Sequence, residues 1–325
     1  MKLLFITFLC LTFSSLSYAN DNLPGVSGFI DEMHDEHGFD KAELQTIFEQ
    51  VNVKKSILKA IARPAEKSKP WYDYRKIFIT QKRINNGAAF WQIHKNALLK
   101  AENEFGVPAE IIIAILGVET SYGNNVGSYR VVDALSTLAF RYPPRSKFFR
   151  SELSHFLFLT REEEMSILKP LGSYAGAMGL GQFMPSSFRA YAVDFDGDGK
   201  RDIWTNPTDA IGSIANYLNR HGWVAGESIA HKTTVSGSAP VALLEKGTKP
   251  DIERNELVNA GVSTISLPSD TSQLAIISLT QLKGEEYWLT RQNFYSITRY
   301  NHSRMYAMAV TQLAALISQE YNLTN

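Results

Sequence analysis

Glu119 stands in Gly-Val-Glu-Thr-Ser-Tyr-Gly, residues 117–123, directly after the apolar run 111–116. Pro108 suits the first turn of a helix, Ile111, Ile112, Ile115 and Leu116 form one apolar stripe, and Gly123 supplies a stop. Four residues after Ile115 and three after Leu116, Glu119 falls on that stripe, so its side chain leaves the helix on the face that packs inward. Burial and the negative end of the helix macrodipole both oppose ionisation, which suits this carboxyl to hold a proton and act as a general acid. The spacing alone equally fits a glutamate that reaches solvent, and other parts of the chain must decide.

Asp194-Phe-Asp-Gly-Asp-Gly-Lys-Arg-Asp202 is a second constellation. Asp194, Asp196, Asp198 and Asp202 occupy positions 1, 3, 5 and 9 of an EF-hand calcium loop, with Gly199 at position 6 and Lys200 at position 7, where the loop uses a backbone carbonyl. The bidentate Glu of position 12 is replaced by Thr205, followed by Asn206 and Pro207. The closing ligand must then come from a shifted position or from water, and the competing reading is a solvated acidic turn. A calcium ion held in 194–205 would be structural, with no cofactor required for chemistry.

Residues 172–185 carry Gly172, Gly176, Gly179 and Gly181, a density that a regular helix tolerates poorly. No Lys-Ser/Thr follows and no strong parallel strand precedes, which argues against a phosphate-binding loop, and a tight loop with exposed backbone is expected. Ser173 and Gln182, at its two ends, can hydrogen-bond a carboxyl group or a sugar amide, and taken alone each equally fits a residue that stabilises the loop.

The elements that would position these groups are mostly helical. Residues 27–63 read as helix, with Phe39, Leu44, Ile47, Phe48 and Val51 at helical spacing and a break at Pro64. Residues 78–105 form a long helical region, 148–168 an amphipathic helix, 209–218 another with Thr208 or Asp209 as N-cap, and 304–318 a helix needing nearly complete burial. Between 226 and 290 the chain turns rich in Thr, Val, Ser, Pro and Gly, with strands expected at 229–236, 273–279 and 287–290. The fold class is therefore mainly α (α+β), with a small β-containing insertion and no internal repeat.

The chain has 325 residues, 44% of them hydrophobic, which suffices for one large or two modest domains. Thirty-three basic residues balance 33 acidic ones, so charge gives no argument for nucleic acid or an anionic membrane. Met1-Lys2, the apolar segment 3–13 and Ser17-Tyr18-Ala19 read as a signal peptide cleaved after residue 19, its apolar stretch too short for a comfortable membrane span. Cys10, the only cysteine, lies inside it without a small-residue lipidation context, so a soluble mature chain free of disulfides is expected.

Three long motifs recur in order: residues 117–123, residues 173–187 (Ser-Tyr-Ala-Gly-Ala-Met-Gly-Leu-Gly-Gln-Phe-Met-Pro-Ser-Ser), and residues 294–310 (Phe-Tyr-Ser-Ile-Thr-Arg-Tyr-Asn-His-Ser-Arg-Met-Tyr-Ala-Met-Ala-Val). Together they resemble the membrane-bound lytic murein transglycosylase B family across nearly the whole mature chain. The resemblance implies a lysozyme-like catalytic core at 91–225 plus 291–325, a helical accessory region at 20–90 that 140–170 joins, and a small β-containing domain at 226–290. It implies a periplasmic monomer acting on peptidoglycan glycan strands and stem peptides, with other cell-wall enzymes as partners.

Carried over by position, the resemblance makes Glu119 the catalytic acid. Ser173, Gln182, Tyr300, Asn301 and Tyr306 line the groove, with the Tyr306 hydroxyl positioning a carboxyl. Tyr74 and Arg145 are expected to touch glycan or stem peptide, and the loop at Asp194 to bind a metal. A glycoside hydrolase needs a second carboxylate, yet neither Glu110, on another helical face, nor Asp133 sits in a catalytic motif. The implied route is one in which Glu119 protonates the glycosidic oxygen, then deprotonates the muramic C6 hydroxyl to give a 1,6-anhydro end. A hydrolytic muramidase and a non-catalytic peptidoglycan-binding protein are the alternatives. Asn301-His-Ser303 and Asn322-Leu-Thr324 have glycosylation spacing by chance.

Overall fold

The computed structural model describes residues 23–62, 69–268 and 273–324. The expected signal peptide lies outside them. The chain divides into two compact units, one ending at Val51 and one beginning at Asn52.

In the first unit, α1 (Val26–Asp35) and α2 (Lys41–Glu49) pair through Phe29 and Phe48, whose rings meet edge to face at 5.8 Å. Gly38, at φ 66°, turns the chain, and the Asp40 side chain caps α2 by accepting from the Glu43 amide at 2.7 Å. The helical stretch expected over 27–63 is thus split, because the Gly38–Asp40 turn and the extended residues 51–54 interrupt a periodicity that continues through them.

The second unit begins with α3 (Lys55–Ile61), α4 (Trp71–Phe78), α5 (Gln81–Phe105) and α6 (Ala109–Thr120). β1 (Tyr129–Arg130), α7 (Val131–Arg141), a 3-10 turn at Pro143–Arg145 and α8 (Ser146–Glu162) follow, then β2 (Leu171–Gly172), α9 (Pro185–Tyr191) and α10 (Pro207–Arg220). α6 is the axis of this unit. α5, α10 and α14 (Arg304–Thr324) pack around it, and every residue from Ile111 to Val118 is buried. A single apolar stripe understates this helix, since helices enclose it on several sides and its apolar residues run all round. α7 escapes the sequence pattern because the polar Asp133, Ser136 and Thr137 occupy inward positions, while α4 buries only Trp71 and Tyr74 and α9 only Pro185 and Phe188, too few to repeat. In α7 the buried Asp133 takes a bidentate ion pair from Arg130, at 2.9 and 2.8 Å.

Toward the C-terminus, β3 (Ala230–Thr233), α11 (Val241–Glu245), β4 (Ile252–Glu253), α12 (Arg254–Asn259), β5 (Gln273–Thr280) and β6 (Glu285–Thr290) precede α13 (Gln292–Tyr300) and α14. The four strands form an antiparallel sheet in the order β3-β6-β5-β4, with Ile276 opposite Leu289. Leu243, Ile252, Leu257, Val262, Leu274, Ile276 and Leu289 give this region an apolar cluster of its own. The two-residue β4 is too short to leave a periodic signal. α14 continues to Thr324, six residues beyond the expected stop.

Candidate active site

Glu119 is the penultimate residue of α6, half-buried where the enclosed helix ends. The chain leaves the helix through three left-handed residues, Ser121 (φ 53°), Tyr122 (φ 61°) and Gly123 (φ 86°), so the stop begins two residues before the expected glycine. Two consecutive non-glycine residues there carry backbone strain that the surroundings must hold. Thr120 provides one hold. Its buried hydroxyl donates to the Leu180 carbonyl at 2.9 Å, lies 3.3 Å from the Leu116 carbonyl and accepts from the Gly123 amide at 3.0 Å.

Across from the helix end, the Tyr306 hydroxyl donates to Glu119 Oε1 at 2.6 Å. Tyr306 is the third residue of α14 and only 2% exposed. Burial first, and the negative field of Glu119 second, raise the pKa of this phenol well above its ordinary value, so it remains a donor throughout the neutral range. Tyr300, at the end of α13, is raised by the same two causes in the same order. Its hydroxyl donates to the Gly181 carbonyl at 2.5 Å, and a Cβ on Gly181 would lie 2.8 Å from the Tyr300 hydroxyl oxygen. Tyr217 and Phe183 hold the Tyr300 ring edge-on at 4.8 and 5.7 Å.

The Gly-rich segment folds as the tight loop that its composition suggests. A Cβ at Gly172 would come 2.3 Å from the Ala177 carbonyl, and one at Gly179 2.5 Å from that of Ile203, so main chain packs on main chain at both. Ser173 Oγ accepts from the amides of Ala175 and Ala177, at 3.3 and 3.1 Å, and fixes the turn while its own proton is left to donate. Gln182, left-handed at φ 52°, spends its amide nitrogen on the carbonyls of Val126 and Gly179, at 3.2 and 3.0 Å. That bond to Val126 ties the loop to the segment following Glu119 and leaves the amide oxygen for a ligand.

Three sequence candidates are placed differently. Tyr74, on α4, is 1% exposed between Trp71 and Phe78, so it lies beneath the surface and cannot meet a glycan directly. It adds to the field that raises Tyr306. Asn301 uses its side-chain oxygen to accept from the Ser303 amide at 3.1 Å, bridging the turn into α14. Arg145 is exposed and lies over the rings of Phe148 and Phe149, at 4.4 and 5.1 Å, rather than against another candidate residue.

Neither alternative carboxylate joins the site. Asp133 is committed to Arg130 and to the Asn52 amide at 2.9 Å. Glu110 sits in the first turn of α6, a helix length from Glu119, its pKa raised by burial.

In the acidic loop, the Asp194 carboxylate accepts from the amides of Gly197 and Gly199, each at 2.8 Å, and Asp198 Oδ1 from that of Lys200 at 2.9 Å. Asp202 caps the turn over Trp204 and Thr205 and also accepts from the Thr205 hydroxyl. Asp209, in the first turn of α10, joins this acidic cluster. Ligand atoms of Asp194, Asp196 and Asp209 lie within 4.8 Å of one another. Asp209 is fully buried, and its pKa is raised by burial, opposed by two backbone amides and reinforced by the charges of Asp196 and Asp194. Crowded hard oxygen donors around a buried carboxylate fit a cation such as calcium.

A profile described as the transglycosylase SLT domain matches residues 22–315. The chain belongs to this transglycosylase family. Membrane-bound lytic murein transglycosylase B of Escherichia coli K12 is 43% identical over 306 residues, covering 91% of this chain and 83% of the relative. The crystal structure of soluble lytic transglycosylase SltB1 from Pseudomonas aeruginosa superposes with a TM-score of 0.86 at 52% identity, covering 91% of this chain and 99% of that one. The lytic transglycosylase Slt35 of Escherichia coli, solved in complex with calcium, gives a TM-score of 0.84 at 42% identity, covering 92% and 94%. Such similarity makes the fold of this transglycosylase lysozyme-like.

Two residues of the transglycosylase carry structural roles that the sequence reading missed. Thr120 joins the Glu119 helix to the Gly-rich loop, and its only sequence signal is a hydroxyl in the last turn of an apolar helix. Asp209 was read as a helix cap, and its place in the acidic loop required a reach of seven residues past Asp202. No helix among the described residues is long and apolar enough to cross a membrane.

Proposed function

We propose that this protein is an exported lytic transglycosylase that cleaves the β-1,4 bond between N-acetylmuramic acid and N-acetylglucosamine in peptidoglycan without water, leaving 1,6-anhydromuramic ends. The observation that carries the reading is the hydrogen bond from Tyr306 to Glu119 Oε1, at 2.6 Å. The Tyr306 donor orients the Glu119 carboxyl, which carries the catalytic proton. Glu119 gives this proton to the glycosidic oxygen as the leaving sugar departs, and positive charge develops at the muramic anomeric carbon. The substrate's acetamido carbonyl oxygen bonds to that carbon and holds the charge as an oxazolinium. Glu119, now ionised and steadied by the Tyr306 donor, takes the proton of the muramic C6 hydroxyl, whose oxygen displaces the acetamido oxygen and closes the 1,6-anhydro ring.

Commitment of Asp133 to Arg130 supports a single-carboxyl route over a muramidase, which would need a second carboxylate to activate water or attack the sugar. Ser173, Gln182, Tyr300 and Asn301 are assigned to the groove wall, and Arg145 to the stem peptide, as an exposed cation that an anionic peptide can reach. Asp194, Asp196, Asp198, Asp202, Asp209 and the Lys200 carbonyl are assigned to a structural calcium ion that fastens the loop between α9 and α10. The reading further assigns residues 226–290 to a separate small domain, and the mature protein to the periplasm as a monomer.

Mass spectrometry of peptidoglycan digested by the mature protein is the test. Products lighter by one water than those of a muramidase are expected, and hydrated reducing ends would overturn the transglycosylase route.

A further inference from the structure

Arg83, in the first turn of α5, places its guanidinium between the carboxyl ends of two other helices. Nη1 donates to the carbonyls of Ile77 and Phe78 at 2.7 and 2.9 Å, the last residues of α4. Nε donates to the Gly117 carbonyl at 2.9 Å, two residues before Glu119 in α6. The last carbonyls of a helix carry the negative end of its dipole, so one cation here steadies two helix ends together, adding at Gly117 to the Ser121 amide that this carbonyl accepts at 3.2 Å.

The contact is closed from the other side. Tyr122, strained at φ 61° just after α6, donates its hydroxyl to the Arg83 carbonyl at 2.8 Å. Burial raises the pKa of this phenol, which keeps it a donor. Gly87 and Gly117 leave room for it, since a Cβ on either would sit 2.7 or 2.6 Å from the hydroxyl oxygen. Phe78 lies under the guanidinium, 5.6 Å from its carbon. A lysine offers one point of charge on a flexible stem and cannot reproduce a planar fork reaching three carbonyls.

α4 carries Tyr74 and α6 carries Glu119, and the Arg83 guanidinium is a direct bond between them. We infer that Arg83 is a positioning residue for the reaction, holding the end of the Glu119 helix in register with the α4 side of the site, an inference that rests on the transglycosylase reading above. A misplacement of about 1 Å costs on the order of 100-fold in rate. The effect should fall on kcat, because the Arg83 guanidinium is committed to three main-chain carbonyls and acts through the geometry of the acid.

The test compares the parent with Arg83→Lys and Tyr122→Phe on a soluble uncross-linked glycan strand, below the melting temperature of every variant. Arg83→Lys is expected to lower kcat by about 10- to 100-fold with KM within about threefold, and Tyr122→Phe to lower kcat by about three- to tenfold. A folded Arg83→Lys protein with kcat within about twofold of the parent, and only a lowered melting temperature, would make Arg83 a plain helix tie and overturn the inference. If Arg83→Lys fails to fold, Tyr122→Phe decides by the same criterion. Hydrated product ends from the parent would overturn the transglycosylase reading instead, while the kcat comparison would still decide the role of Arg83.

Discussion

Tyr306 and Glu119, 187 positions apart in the chain, meet through a hydrogen bond of 2.6 Å in which the phenol donates and the carboxyl accepts. The bond orients the acid and stabilises the negative charge that it carries after the first proton transfer. Hydrogen bonds to charged groups contribute about 1.5–3 kcal/mol, so Tyr306→Phe should lower kcat by about 10- to 100-fold while keeping the ring. Steady-state kinetics on a soluble glycan strand measure it, and an unchanged kcat would remove Tyr306 from the mechanism.

Glu119→Gln keeps the size and hydrogen-bonding reach of the side chain but can neither give nor take the proton. Loss of acid and base together should reduce turnover by at least about 100-fold. Binding of the glycan, followed by calorimetry, should stay near that of the parent. Retained turnover would mean that a group other than Glu119 protonates the glycosidic oxygen.

The acid was legible because an enclosed helix must be almost wholly apolar, and Glu119 interrupts that rule near its end. The helices at 148–168 and 209–218 were legible for the related reason that their apolar residues repeat at helical spacing. Arg83, Tyr122 and Thr120 were not. Each acts through a backbone carbonyl supplied by a distant segment, at Gly117, Arg83 itself and Leu180, and any residue type offers that carbonyl. Tyr74 shows the opposite failure. The family resemblance suggested the groove for it, while its 1% exposure places it beneath, and sequence position carries no information on depth.

Thr120→Val removes a buried hydroxyl while preserving its shape, leaving the Leu180 carbonyl without its 2.9 Å donor and the Gly123 amide without its acceptor. Unpaired buried groups of this kind cost about 1–3 kcal/mol. Urea unfolding should show a loss of that size, with Thr120→Ser restoring most of it. A neutral Thr120→Val would mean that the helix end and the Gly-rich loop are held together by other contacts.

Alkaline pH tests the buried phenols. Tyr300 and Tyr306 have pKa values raised above the ordinary value by burial and by the charge of Glu119. An unfolded tyrosine ionises near pH ~10. Above that pH the unfolded chain loses protons that the folded chain retains, so these groups' contribution to stability, full below pH ~10, declines as pH rises toward their folded values. Melting temperature should therefore fall steeply from pH ~9.5 to ~11, and Tyr306→Phe should fall less steeply because one such group is gone. Parallel curves would mean that Tyr306 ionises as freely in the fold as outside it.

Calcium removal tests the acidic loop. Asp194, Asp196 and Asp209 bring ligand atoms within 4.8 Å of one another, and their mutual repulsion is a cost that a divalent cation would turn to stabilisation. A ligand present at about 100 times its dissociation constant adds about 2.7 kcal/mol to the folded state. Addition of calcium to EDTA-treated protein should raise the melting temperature, and Asp209→Asn should abolish most of that rise while leaving glycan cleavage intact below the melting range. The side chain is fully buried and accepts from the amides of Phe195 and Asp202 at 2.7 and 2.8 Å, so an amide at this position must also turn one donor away from them. Asp196→Asn, whose carboxylate is exposed, separates the two effects. A calcium-dependent rise that survives both substitutions would place the ion elsewhere, and no rise in the parent would leave these carboxylates as hydrogen-bond acceptors for the loop alone.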